Sequence, residues 1–199
     1  MSGMVNRTIL PPGKGDRGAG GFTLLELLAV VAIICVLSVI AVPAFSSLYA
    51  DCCLKAAVWE IKDLFKDAKL LSIQGKSCCI EFDPPRGRAM LYSGRGEDGQ
   101  WGTGDEQFVR EVRLSDKGGG LSFGYGERGP VLKPNKLTAT DDGVAFTGNR
   151  FYSAEGVVGT GGGIYIQSAT SGSAVAMIFN TSDFSCKLYH WDGSEWIRK

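Results

Sequence analysis

The chain has 199 residues, enough for one modest domain and a tether. Hydrophobic residues make up 44%, charged residues 21%, and the formal net charge is zero. That balance suits a globular protein with one membrane segment, and it argues against a body that grips nucleic acid through a basic face.

Residues 1–21 are polar and include Pro11-Pro12-Gly13 and Gly18-Ala19-Gly20-Gly21. Such a stretch neither holds a helix nor contributes a core. It reads as a processed leader and stays outside the fold. It carries Arg7, Lys14 and Arg17 against Asp16, about two positive charges, so the remainder is about two negative. The basic flank predicts that this end stays cytoplasmic and that the body lies across the membrane.

From Leu27 to Val42 no residue is charged, and the only hydroxyl is Ser38. At about 1.5 Å per residue, Phe22–Phe45 gives roughly 36 Å of helix, enough to cross a hydrocarbon core of about 30 Å. Glu26 stands near the front of this segment. An ionised carboxylate in lipid costs several kcal/mol unless it is paired. Two readings follow. Glu26 snorkels to headgroups at the bilayer edge, or it meets a cation. A cut between Gly21 and Phe22 would create such a cation, an α-amino group four residues away, in the same chain or a neighbouring copy. An ordinary secretory signal would be cut after the apolar run, near Val42-Pro43-Ala44, but Glu26 and the Gly-Phe junction speak against it. A lipid anchor at Cys35 fails because Ile34 is too large for the preceding position.

Helical spacing continues beyond Pro43, which lacks an N–H and bends a helix without necessarily ending it. Leu54, Ala57, Val58, Ile61, Leu64, Phe65, Ala68 and Leu71 make an apolar stripe, with Lys55, Lys62, Asp63, Lys66, Asp67 and Lys69 opposite. The spacing predicts one helix from Phe22 to about Gln74, with Gly75 as its stop. Gly75-Lys76-Ser77 is not a phosphate loop: Leu70 stands where the motif needs glycine, and the helix is ending rather than starting.

From Ser77 the period changes to two. Cys78, Ile80 and Phe82 alternate with Cys79 and Glu81, Asp83–Arg88 turns, and Ala89–Tyr92 returns. Further strands are expected at Gln107–Leu114, Leu121–Phe123, Val144–Phe146, Gly163–Gln167, Ala174–Phe179, Lys187–Trp191 and Glu195–Ile197, with Asp192-Gly193-Ser194 as a tight hairpin. Gly118-Gly119-Gly120 and Gly161-Gly162-Gly163 read as loops. Strands that all follow one long helix predict an α+β class: an antiparallel β-sheet head laid on the helix stripe.

The loop Glu97–Glu106 gathers acid and glycine. Its carboxylates make calcium the one metal to consider, with Asp98, Asp105 and Glu106 as ligands. The spacing does not match an EF-hand, and a solvated acidic turn is the favoured reading, so no cofactor is expected. Of the six cysteines, Cys35 acts as a small hydrophobe. Cys52, Cys53, Cys78, Cys79 and Cys186 are structural disulfides or free thiols, with pairing left open. The lone histidine, His190, reads as a surface or packing residue. No H-E-x-x-H, G-x-S-x-G or C-x-x-C occurs, and no catalytic residues are assigned.

The run Gly21-Phe22-Thr23-Leu24-Leu25-Glu26 and the apolar residues Leu27–Ile34 resemble the type III signal of type IV pilins and type II secretion pseudopilins. Pro43 falls where that family commonly has a kinking proline. The resemblance implies cleavage after Gly21 by a membrane aspartic prepilin peptidase and N-methylation of Phe22. It also implies pairing of Glu26 with the amino terminus of an adjacent subunit. More diffusely, Leu64–Ser77 followed by Cys78-Cys79-Ile80-Glu81-Phe82-Asp83-Pro84 is similar to the GspH/FimT class, whose first strand ends in F-D-P. Here Lys69 replaces the usual arginine, and Leu71-Ser72-Ile73 takes the place of a small-residue step.

The expected organisation is a leader at 1–21, a transmembrane assembly helix at 22–45, its amphipathic continuation at 46–76 and a periplasmic head at 77–199. The expected function is that of a minor pseudopilin or pilin: a single-pass inner-membrane protein built into a type II secretion pseudopilus or type IV pilus. Its expected partners are other pilin subunits, the prepilin peptidase, the inner-membrane assembly platform and the membrane, with no nucleic acid. The alternatives are a DNA-uptake minor pilin and a membrane-anchored periplasmic enzyme.

Overall fold

A computed structural model describes residues 22–131, 143–146, 150–153, 161–179 and 185–199. The leader, Gly21 included, and parts of the glycine-rich segment between Val144 and Gly163 lie outside the described residues. The chain divides into two compact units, Met1–Ile40 and Ala41–Lys199.

One helix, α1, spans Leu24–Ile73 and runs through Pro43 without interruption. Proline removes one helical hydrogen bond there but does not end the helix. The expected stop at Gly75 is a Schellman closure. Gly75 takes φ +78°, its N–H donates to the Ser72 carbonyl (3.1 Å), and the Lys76 N–H donates to the Leu71 carbonyl (3.0 Å). Only glycine adopts that backbone without strain.

In the first unit the helix presents its apolar side chains outward. Leu27, Ile33, Val36 and Leu37 are all more than half exposed. Ser38 donates to the Ile34 carbonyl at 2.8 Å, so its hydroxyl proton is satisfied within the helix.

The second unit is built on the rest of α1. Leu54, Ala57, Val58, Ile61, Leu64, Phe65 and Ala68 are buried, the stripe that periodicity gives, and Leu71 packs at its margin. Each large aliphatic among them contributes about 1.5–3 kcal/mol on burial. Nine strands follow among the described residues: β1 Cys78–Asp83, β2 Arg88–Ser93, β3 Gln107–Arg113, β4 Leu121–Phe123, β5 Arg150–Ser153, β6 Gly162–Ser168, β7 Ala174–Phe179, β8 Cys186–Trp191 and β9 Trp196–Arg198. They form two antiparallel sheets, in the orders β3-β2-β1-β5 and β4-β6-β7-β8-β9. The α+β class stands, with two sheets in place of one.

Both sheets and α1 meet at Phe65. Its ring stacks on Phe179 of β7 at 3.8 Å and meets Phe151 of β5 edge-on at 4.9 Å, with Phe82 and Phe146 slightly farther away. Ion pairs fasten the helix from outside: Arg110 of β3 to Asp67 at 3.1 Å, and Lys117 to Glu60.

Two expectations fail. Val144–Phe146 is not a strand among the described residues; Val144 makes a single bridge to Ile164, and the Phe146 side chain is used as core. The partner of β1 on that side is β5, which carries no sequence signal beyond Arg150-Phe151-Tyr152. The second failure is Gly162, read as loop but found in β6. A Cβ on Gly162 would collide with the Phe146 ring, so the glycine is there for close approach rather than for flexibility.

Candidate functional site

The first turn of α1 is the candidate site. Thr23 is its N-cap. The Glu26 N–H donates to Thr23 Oγ1 at 3.2 Å, and the Leu27 N–H donates to the Thr23 carbonyl at 3.1 Å. Thr23-Leu24-Leu25-Glu26 is therefore the T-x-x-E pattern of a capping box, with its Thr-side bond made. Glu26 is the only acid in that turn and lies exposed at the positive end of the helix dipole. Phe22, 77% exposed, precedes the cap and is the first described residue. Sequence reading missed Thr23, although the hydroxyl three residues ahead of Glu26 is the standard signal.

Behind this turn the helix is long and apolar enough to cross a membrane, and none of its most apolar 18-residue window is buried by the rest of the chain. Such a surface needs lipid or other helices as cover. Pro43 lies within α1, and Gly21 lies outside the described residues.

In the acidic loop the carboxylates accept hydrogen bonds from the loop's own backbone and from Thr103. Asp105 Oδ2 accepts from the Glu97 N–H (2.8 Å) and Oδ1 from the Thr103 hydroxyl (2.7 Å). Glu106 accepts from the N–H groups of Gly102, Thr103 and Gly104, and Asp98 accepts from that of Gln100. The Thr103 hydroxyl, helped by the Glu97 and Asp98 amides, holds the Asp105 carboxyl below the usual range. For Glu106, burial pushes upward but the backbone amides outweigh it, and its carboxyl is also lowered. Among the described residues, no three His, Cys, Asp or Glu side chains are grouped to hold a metal ion.

No disulfide joins any of the six cysteines. Cys78 donates to the Ala68 carbonyl at 3.2 Å, tying β1 to the helix. Burial pushes the Cys79 thiol up to about 12 and the Cys186 thiol to about 11. His190 sits in β8 opposite Val175, beside a cavity that Lys55 and Trp59 also line. The F-D-P step has a structural reading. Phe82 enters the core, Asp83 caps the short 3-10 turn Pro84–Arg86 through the Arg86 N–H (3.3 Å), and its other oxygen holds Arg88 (3.0 Å).

Comparison with known proteins matches residues 16–42 to the model of the prokaryotic N-terminal methylation motif. No curated protein matches the sequence. Among solved structures, the minor pseudopilin EpsH from the type 2 secretion system of Vibrio cholerae is similar, with 12% identity and a TM-score of 0.44 over 68% of this chain and 94% of that one.

Proposed function

We propose that this chain, which carries the prokaryotic N-terminal methylation motif, is a member of the type IV pilin and pseudopilin superfamily with the role of a minor pseudopilin or minor pilin, a structural subunit inserted into a filament through α1. The observation that carries this reading is the methylation motif lying across the capped first turn and the uncovered apolar helix. The leader is removed after Gly21, Phe22 becomes a methylated amino terminus, and the helix anchors the chain in the inner membrane with the head in the periplasm. On assembly, apolar helix faces trade lipid for neighbouring subunits. Glu26 then pairs with the amino group of an adjacent copy, and misregister leaves two lone charges in a dry bundle. The work is assembly, and no catalytic step is assigned.

Mass spectrometry of the protein from its native membrane tests this. The expected amino terminus is Phe22 carrying one methyl group. A chain that keeps its first twenty-one residues, or begins near Phe45, overturns the reading.

One observation favours a DNA-uptake pilin as a second reading. Lys62, Lys66 and Lys69 line one cavity with Phe65 and Phe179, and the Lys62 ammonium lies 4.8 Å from the centroid of the exposed Trp59 ring. Lysines interleaved with an exposed aromatic suit a nucleic-acid strand. Salt-dependent retention of DNA by the full chain supports this second reading, and retention that ignores salt removes it.

A further inference from the structure

Arg128 is fixed without an acid. Its Nη1 donates to the Tyr125 carbonyl (3.2 Å) and to Gln167 Oε1 (2.9 Å), and its Nη2 donates to the Gly172 carbonyl (2.6 Å). All three acceptors are neutral. Two of its five N–H donors, Nε–H and one on Nη2, are left over. The arrangement is built in steps. Gln167 comes from β6, and Gly126, at φ +56°, leaves it room, since a Cβ there would lie 3.0 Å from Gln167 Oε1. A guanidinium held in place this way loses little freedom when it meets a ligand.

Two cavities, of about 500 and about 410 Å³, share Arg128 and Trp191 as walls. Together they exceed what a small ion fills. The second is floored by Val131 and Trp196, with the Trp196 ring edge-on to Trp191 at 5.5 Å. Each cavity also has one acid at its margin, Glu127 in the first and Glu195 in the second. A multiply charged anion such as phosphate or a nucleic-acid strand meets two repulsions there against one attraction. A single carboxylate carried on an apolar peptide matches one planar guanidinium and two indole rings.

The geometry points to a peptide-binding site in which Arg128 clamps a glutamate or aspartate side chain of a partner protein, with Trp191 packed against the flanking residues. This site is in the head, distinct from the first turn of α1, and it does not depend on the assembly reading.

Calorimetric titration of the full chain in nonionic detergent tests it, using the blocked peptide acetyl-Ala-Ala-Glu-Ala-Ala-amide and its counterpart with glutamine at the centre. The glutamate peptide is expected to bind at least ~10-fold more tightly than the glutamine peptide, the discrimination of a charge-assisted bidentate contact. That comparison uses the unaltered protein, so folding does not enter. Trp191→Ala, which leaves all three bonds of Arg128 in place, is expected to weaken the glutamate peptide ~5-fold, and Arg128→Gln is expected to remove the preference for glutamate. No heat with either peptide, equal affinity for both, or tighter binding of inorganic phosphate at matched ionic strength overturns the assignment.

Discussion

Phe65 of the helix and Phe179 of β7 stack with ring centroids 3.8 Å apart and planes inclined by 16°. This contact joins α1 to the five-stranded sheet, while the edge-on contact of Phe65 with Phe151 joins it to the other. Phe65→Ala is expected to cost about 3–5 kcal/mol, because the hole it leaves faces both sheets. Phe65→Leu should cost much less, about 1 kcal/mol. Denaturant unfolding of the full chain in nonionic micelles, followed by tryptophan fluorescence, gives both values. Equal losses for the two variants would show that refilling the volume recovers nothing and that the ring contacts carry the whole effect.

Thr23 is expected to hold the first turn independently of any partner. Thr23→Ala loses the cap, worth about 1 kcal/mol, so hydrogen exchange at the Glu26 amide in micelles should speed up about fivefold. Thr23→Ser should restore protection. Exchange that does not respond to either change argues that the cap is absent in a lipid-like setting.

Glu26→Ala and Gly21→Val separate processing from assembly. The first is expected to insert and lose its leader but to enter filaments poorly, read by filament pull-down. The second should keep its leader, because the peptidase site takes a small residue there, and should therefore migrate as the larger species on a gel. Normal incorporation of Glu26→Ala sinks the register role, and a normal size shift for Gly21→Val sinks the cleavage position.

Asp83 should mark the acid limb of stability. Burial pushes its carboxyl upward, but the Arg88 and Arg86 contacts more than offset this and lower it below the usual value of about 3.9. With the folded value depressed, its contribution is complete above the unfolded value and fades as pH falls through the folded one. Asp83→Asn should therefore lower the unfolding midpoint at pH 7 and shrink the difference between pH 7 and pH 3. An unchanged difference would assign the acid limb to other carboxylates.

Thiol alkylation should sort the cysteines. Cys52 is exposed and should label rapidly at pH 8. Cys79, buried and pushed up to about 12, should stay unlabelled until the chain is denatured. Labelling of native Cys79 at the rate of Cys52 would contradict the packing of β1.

Much of this was legible in the residues themselves. The stripe Leu54–Leu71 repeats every three or four positions over many turns, so periodicity alone names the buried face. The alternation Cys78, Ile80, Phe82 does the same for β1. What escaped depends on long-range contacts. Arg150-Phe151-Tyr152 is too short to show a period, and β5 exists because its backbone completes the ladder of β1. Phe146 looks like part of a strand, yet its ring is admitted to the core by a glycine sixteen positions later. Thr23 was missed for a different reason. The charge on Glu26 drew the functional reading, and the hydroxyl that organises its backbone lies outside the apolar run.

The rims of the two sheets limit how this molecule can aggregate. The outer strand β3 bears Arg110 and Arg113, and among the described residues the second sheet is finished at both borders by strands of only three residues, β4 and β9. Charged or stubby margins discourage foreign strands from annealing onto them. Strand-by-strand growth of either sheet into an amyloid-like ladder is thereby disfavoured.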